Sequence, residues 1–287
     1  MIAATKEPRC ILAPNPSPLT GAGTNSFLIG TDHVAVIDPG PDESDHLGAI
    51  VRAGAGKISH IFVTHSHKDH SAGSSRLAAM SGAPVLAFGD MESGRSPVMQ
   101  KLAATGLVGG GEGLDASFRP DILLRDGQEI STPEWTLRAL HTPGHCGNHL
   151  CFQYEDLMFC GDIVMEWSST LISPPDGDLA DYFRSLDRIG LAAPKRLLPA
   201  HGKPVESPIK RLSELADHRR LRTAQILNAL SQSPADAQDL ARRIYDIAPA
   251  LLPAATRNVL AHLVALVGLG AVFYDGDLTV DTIFRTV

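Results

Sequence analysis

Runs of lysine and arginine are missing from this sequence. Acidic residues outnumber basic ones, 32 against 25, for a formal net charge of −7. That balance excludes a general attraction to nucleic acid or to an anionic membrane surface. Cysteine is scarce. Cys10, Cys146, Cys151 and Cys160 are the 4 in 287 residues, too few for a disulfide scaffold and suited to a reducing compartment. The opening residues MIAATKEPRCILAPNPSPLTG lack the apolar core of a secretory signal. No apolar run is expected to approach the ~20 residues of a membrane span. A cytoplasmic protein is therefore expected. There is no G-x-S-x-G nucleophile elbow and no internal repeat. Gly21-Ala22-Gly23 looks like half a dinucleotide loop, but it precedes a strand instead of opening a helix and is rejected.

What is present is an ordinary globular composition, 44% hydrophobic and 20% charged. Short runs rich in Val, Ile, Leu and Phe read as strands at residues 26–29, 34–37, 61–63, 84–88, 136–140, 149–154, 157–160 and 196–198. Helical stretches at 44–53, 74–81 and 179–189 alternate with them, which argues a layered α/β domain. Residues 106–121, GLVGGGEGLDASFRPD, read as a Gly-rich surface loop or partly ordered insertion. The pattern changes after Pro208. A long helical period covers 209–231, Ser233-Pro234 is expected to open a second helix, and 251–269 carries a third. Asp275-Gly276 then reads as a β-hairpin turn. Helices followed by a hairpin make a winged-helix pattern. The expected organisation is an α/β domain over 1–207 and a winged-helix-like domain over 208–287.

The chemistry is concentrated in ISHIFVTHSHKDHSAG, residues 58–73. A strand-like run leads at once into His65, His67, Asp69 and His70. Partly buried imidazoles and a carboxylate cost stability unless each finds a partner, and the natural common partner is a metal ion. In an extended segment His65, His67 and Asp69 share a face, while His70 enters the turn that starts the next helix. Four adjacent ligands strain one tetrahedral ion, so they are better divided between two ions or between inner and outer positions. Further candidates follow other strand-like runs: His141, His145 and His149 in LHTPGHCGNH, Asp162 in FCGDIV, and His201 in LLPAHGKP. His149 reads as a supporting or packing residue, His141 as a surface or core histidine, and Cys160 as core packing. Asp38 in VIDPG has two readings, a hydrogen-bond partner for a histidine and a turn aspartate. Met158 and Met165 read as core. Trp167, Tyr182 and Phe183 stand between lining the mouth of a site and packing inside.

THSHKDH matches the T-H-x-H-x-D-H motif of the metallo-β-lactamase superfamily, and TPGH, GD and AHG match its later motifs in order. The chain resembles that family. The resemblance implies a four-layer αββα sandwich with metals at one edge. His65, His67 and His145 would hold one ion, and Asp69, His70 and His201 a second, with Asp162 bridging. The stretches NPSPLTGAGTNSFLIG and VIDPG, with the tail from 217 onward, resemble the lactamase-β-like-2 endoribonuclease branch, which carries a winged helix after the metal domain. Residues 89–120 depart most from it.

Two divalent ions can share a hydroxide made from water, which attacks a carbonyl or a phosphorus. Asp69 is the expected catalytic carboxylate, orienting that hydroxide or taking its proton. Zinc is the expected metal, with iron and manganese compatible with the same N/O ligands. The leading expectation is hydrolysis of a small ester, thioester or lactone. Alternatives are an endoribonuclease acting on single-stranded RNA and a winged-helix regulatory protein. Against the first alternative, no basic-plus-aromatic platform is visible. The tail is expected to pack against the metal domain or a second subunit and to wall the cleft, not to read DNA. Duplex DNA and membrane are not expected partners; a homodimer is compatible.

Overall fold

A computed structural model describes residues 7–110, 113–279 and 281–287. Two sheets face each other. The first has strands in the order β1 (Arg9–Leu12), β2 (Asn25–Ile29), β3 (Val34–Ile37), β4 (Ile58–Phe62), β5 (Val85–Ala87) and β6 (Ile122–Leu123). The second runs β11 (Arg196–Pro199), β10 (Leu157–Gly161), β9 (Leu150–Tyr154), β8 (Thr136–His141) and β7 (Glu129–Ser131). The period-2 alternation of side chains explains the layering. On β2 and β3, Phe27, Ile29, Ala35 and Ile37 point between the sheets, while Leu28, Val34 and Val36 point outward. On β9 and β10, Phe152 and Phe159 point inward, and Cys151, Met158 and Cys160 outward. Phe62 meets Phe152, and Phe27 meets Phe159, each pair at 5.2 Å between ring centres.

Helices cover both outer faces and complete the αββα sandwich. α1 (Ser44–Gly54), α2 (Lys68–Ser71) and α3 (Ser74–Ser81) lie in the half of the chain that builds the first sheet, and Leu47, Ile50 and Leu77 pack on its outer face. α4 (Pro97–Ala104) follows β5. α5 (Leu179–Leu191) lays Leu179, Tyr182, Leu186 and Ile189 on the second sheet. Asp178 caps α5 by accepting from Ala180 N at 2.8 Å, which fixes where the preceding loop ends.

α6 (Pro208–Gln232) belongs to both cores. Leu212 and Leu215 pack with the second sheet, and Ile226 and Leu230 pack with the tail. The tail comprises α7 (Ala237–Ile244), a 3₁₀ turn (Pro249–Leu251), α8 (Leu252–Gly268), β12 (Val272–Phe273) and β13 (Arg285–Thr286). Three expectations change here. The second helix starts at Ala237, not at Ser233-Pro234, because Asp236 accepts from Asp239 N at 2.8 Å and caps it. β12 pairs with β13, so Asp275-Gly276 opens a long loop instead of closing a tight hairpin; Val280 lies outside the described residues. Pro249–Gly268 is 20 residues long and apolar enough, by length and composition, to cross a membrane. Its Val259, Leu260 and Leu263 instead form the core of the tail.

Residues 113–118 are more ordered than a loose insertion. Lys68 N donates to Gly113 O at 3.0 Å, Asp115 N to Ser66 O at 2.8 Å, and Phe118 is buried. This stretch is therefore stitched to the histidine tract; Gly111 and Glu112 lie outside the described residues.

Candidate metal centre

Four strand ends converge. β4 delivers Thr64, His65 and His67, β8 leads through Pro143-Gly144 to His145, β10 ends at Gly161 before Asp162, and β11 leads to His201. His67 is the N-cap of α2, so the chain turns helical at Lys68. Asp69 thus sits in the first helical turn with His70, not on an extended face with His65 and His67. The helix N-terminus favours a carboxylate there. Gly161 has φ +48°, and a Cβ on it would meet His149 Nε2 at 2.5 Å, so a side chain there would push Asp162 out of place. All seven candidate ligands are buried.

They fall into two groups. His65 Nε2 and His145 Nε2 each lie 2.9 Å from His67 Nδ1. On the other side, His201 Nε2 lies 3.2 Å from Asp69 Oδ2, and His70 Nε2 lies 3.5 Å from the same oxygen. Asp162 stands between the groups. Its Oδ1 is 3.3 Å from His201 Nε2 and 3.5 Å from His70 Nε2, and its Oδ2 is 3.6 Å from His145 Nε2. One carboxylate therefore turns an oxygen to each group.

The outward atoms of the rings are held. His65 Nδ1 meets Thr64 Oγ1 at 3.0 Å, His70 Nδ1 meets Asp38 Oδ2 at 3.0 Å, and His145 Nδ1 meets Leu171 O at 2.7 Å. His201 Nδ1 meets Gly23 O at 3.1 Å. Such partners fix tautomer and ring orientation in metal sites. They settle Asp38 as a histidine partner. Asp38 also accepts from Thr64 N and Thr64 Oγ1, and its backbone has φ +51°, a left-handed conformation tolerated where the surroundings determine it. Three of the inward atoms, by contrast, are unsatisfied. His70 Nε2, Asp69 Oδ1 and Asp162 Oδ1 are buried without a hydrogen bond among the described residues. Buried polar atoms in that condition are costly, and a cation among them removes the cost. The donor set, imidazole nitrogen with carboxylate oxygen, suits zinc, iron or manganese.

Electrostatics separate the two groups. Burial, and then the neighbouring rings, depress His65 strongly; burial and His145 bring His67 down to about 3; burial also lowers His145. These three rings are neutral and present lone pairs. Burial opposes charge on His70 and His201 as well, but Asp69 and Asp162 overcome it, raising His70 well above the usual range and His201 to about 10. Burial likewise opposes ionisation of Asp69 and Asp162, yet the same histidines hold both carboxyls below their ordinary value.

The remaining candidates are placed as follows. His149 Nε2 accepts from Asp162 N at 3.2 Å and its Nδ1 meets Thr142 at 2.9 Å, so it supports Asp162 from behind. His141 stacks on Phe88 at 3.9 Å and meets Gly147 O. Cys160 and Met158 are core, as is Tyr182. Trp167 and Met165 line the cleft over the centre, and Phe183 faces a separate groove. A Cβ on Gly202 would meet the Trp167 ring at 2.6 Å, so the glycine after His201 lets the indole lie against that loop. The cleft holds about 270 Å³, and the tail walls one side of it through Tyr245, Ile247, Leu251, Ala254, Ala255 and Asn258. Sequence reasoning expected a wall there but identified none of these residues as its lining, because their spacing reads only as helix and loop.

The four-layer fold and a His/Asp centre at the strand ends agree with the family comparisons. Residues 19–201 match the metallo-beta-lactamase superfamily and 237–281 the beta-lactamase associated winged helix domain. The chain belongs to the metallo-beta-lactamase superfamily and is a hydrolase with a C-terminal winged helix. It is 31% identical to a beta-lactamase-like protein 2 homolog of Drosophila melanogaster, over 88% of this chain and 85% of that protein. It is 30% identical to an atrochrysone carboxyl ACP thioesterase of Aspergillus chevalieri, over 78% of this chain and 65% of that protein. The crystal structure of a metallo-beta-lactamase family protein from Thermus thermophilus shares the fold, with a TM-score of 0.79, 23% identity and coverage of 98% of both chains.

Proposed function

We propose that this chain hydrolyses an ester or thioester, with a lactone as a close variant, whose acyl group is apolar. Two divalent ions serve as cofactor, zinc in the first instance. The observation that carries this reading is the lining of the cleft. Beyond the candidate ligands it consists of Pro18, Leu19, Met165 and residues 167–171 on one side and the tail on the other, and none of the lining residues is lysine or arginine. A single RNA strand needs basic side chains along its backbone as well as aromatic platforms for its bases, and this cleft has the aromatics Trp167 and Tyr245 but neither lysine nor arginine. An acyl chain needs only a dry wall. The thioesterase name of the Aspergillus relative supports the same class.

His65, His67 and His145 would offer one ion three neutral nitrogens; Asp69, His70 and His201 would offer the second a carboxylate and two imidazoles; Asp162 would offer an oxygen to each. When bound, such a pair supplies a water deprotonated near neutral pH and positive charge for the oxyanion that develops. Asp69 has one oxygen facing His201 and leaves Oδ1 free, so Oδ1 orients the attacking water and receives its proton. Asp38 holds His70, and Leu171 O holds His145, so neither ring turns during the reaction. Trp167 and the tail exclude water from the acyl side.

A substrate panel tests this. The zinc-reconstituted protein is assayed with thioesters of increasing acyl length, p-nitrophenyl esters, a lactone, bis-p-nitrophenyl phosphate and a single-stranded RNA. Thioester kcat/KM should climb with acyl length, by up to about 4-fold per methylene, the worth of ~0.8 kcal/mol of buried CH₂. Faster turnover of the phosphodiester or the RNA would replace this reading with the nuclease one.

A further inference from the structure

Arg219 is the largest fully buried side chain among the described residues, and the partners it has are uncharged. It donates to Asn258 Oδ1 at 3.0 Å and to the Thr170 carbonyl, and its guanidinium lies 5.5 Å from the Tyr182 ring centre. Burying a guanidinium against neutral groups costs several kcal/mol, and a methionine would fill the same space with less penalty. Such a residue therefore needs a use beyond packing. Asn258 Oδ1 accepts a second hydrogen bond, from Ile172 N at 3.0 Å. Two side chains from α6 and α8 thus grip the backbone at Thr170 and Ile172. Between those points, Leu171 O lies 2.7 Å from His145 Nδ1, and Thr170 Oγ1 lies 3.0 Å from the same nitrogen. From tail to candidate ligand there are two hydrogen-bonded steps.

We propose that Arg219 and Asn258 are positioning residues for His145: through the strap Thr170–Leu171–Ile172 the tail fixes the tautomer and tilt of that ring, with Nε2 facing the metal centre. The inference rests on the reading of His145 as a metal ligand. It gives the C-terminal helices a second duty besides walling the cleft. With the strap released, Nδ1–H loses its fixed acceptor and the ring swings.

The test uses the full-length protein, stripped of metal and titrated with zinc against a chromophoric chelator. Arg219→Met and Asn258→Leu should each weaken zinc binding by about 10-fold, at the low end of what removing an outer partner of a metal-binding histidine costs. Thr170→Val, which removes only the hydroxyl, should weaken it less. Asn258→Asp keeps both acceptor roles and should retain most of the zinc affinity that Asn258→Leu loses. In the ¹H–¹⁵N spectrum, the His145 ring N–H resonance, assigned by its loss in His145→Ala, should shift or broaden in the Met and Leu variants. Undiminished zinc affinity in His145→Ala would overturn the ligand reading and this proposal with it. Weakened binding in His145→Ala but not in Arg219→Met or Asn258→Leu would overturn the proposal alone. So would a lowered melting temperature in those two with the His145 resonance unmoved.

Discussion

Asp162 and Asp38 are both buried carboxylates beside the same histidine, yet their tasks differ. Asp38 Oδ2 meets the outward nitrogen of His70 and accepts from Thr64, so all its bonds run to the protein. Asp162 turns one oxygen to His70 and His201 and the other to His145. Asp162→Asn should therefore lose the second ion and most of the rate. Asp38→Asn should weaken metal binding by about 10-fold, since it disturbs only an outer partner. Metal content by mass spectrometry and rate on the preferred ester check both; equal, small losses would mean that Asp162 joins nothing. His65→Ala, His67→Ala, His145→Ala and His201→Ala should each lower bound metal while the fold persists by circular dichroism. The candidate ligands are legible in the sequence because contiguous motifs carry them. Arg219, Thr170 and Asn258 are not. Each is a single residue on a distant segment, and only the docking of the tail brings them together.

At the scale of elements, α6 and α8 show how much a helical pattern can hide. The period of α6 marks its apolar face, but not that one half serves the second sheet and the other half the tail. His262 stands out in the sequence as a polar residue on the helix that would meet DNA in a sequence-reading winged helix. It is wholly buried, its Nδ1 bonded to Thr223 Oγ1 at 2.8 Å. Thr223 Oγ1 donates to Arg219 O at 3.1 Å, so the imidazole Nδ1 must be the donor in their contact. Burial, then Arg219 and Arg222, bring the ring down to about 3. A histidine held neutral in this way binds fewer protons folded than unfolded. Its contribution is present above the unfolded value of ~6.5 and is lost as pH falls from there toward ~3. His262→Leu should therefore flatten the decline of stability between about pH 6.5 and pH 4.5, by an amount on the order of a few kcal/mol at the acid end. Urea unfolding at several pH values reads this directly. Parallel curves for the two proteins would show that His262 protonates without cost.

At the scale of the molecule, the tail poses the widest choice, since a winged helix can read DNA or simply pack. Its charge is balanced, nine basic residues against nine acidic from Val205 onward. Most of the α8 side chains that would have to face a duplex are committed elsewhere. Asn258 holds Ile172 N, His262 is buried, and Val259, Leu260, Leu263 and Val264 form the tail's own core. The arginine cluster of α6 is occupied as well. Arg219 points inward, Arg220 pairs with Asp217 at 2.8 Å, and Arg222 lies 3.7 Å from the Tyr245 ring centre and 3.3 Å from Ile244 O. Phosphate neutralisation supplies most of the affinity of a DNA-reading surface, and here little cationic surface is left to supply it. A gel-shift titration of the intact protein with duplex DNA at ~0.15 M salt should therefore show no specific complex. Sub-micromolar, sequence-dependent binding would mean that the tail leaves the cleft. It would then free Asn258 and the α8 face for the groove, and the apolar wall would belong to only one of two states.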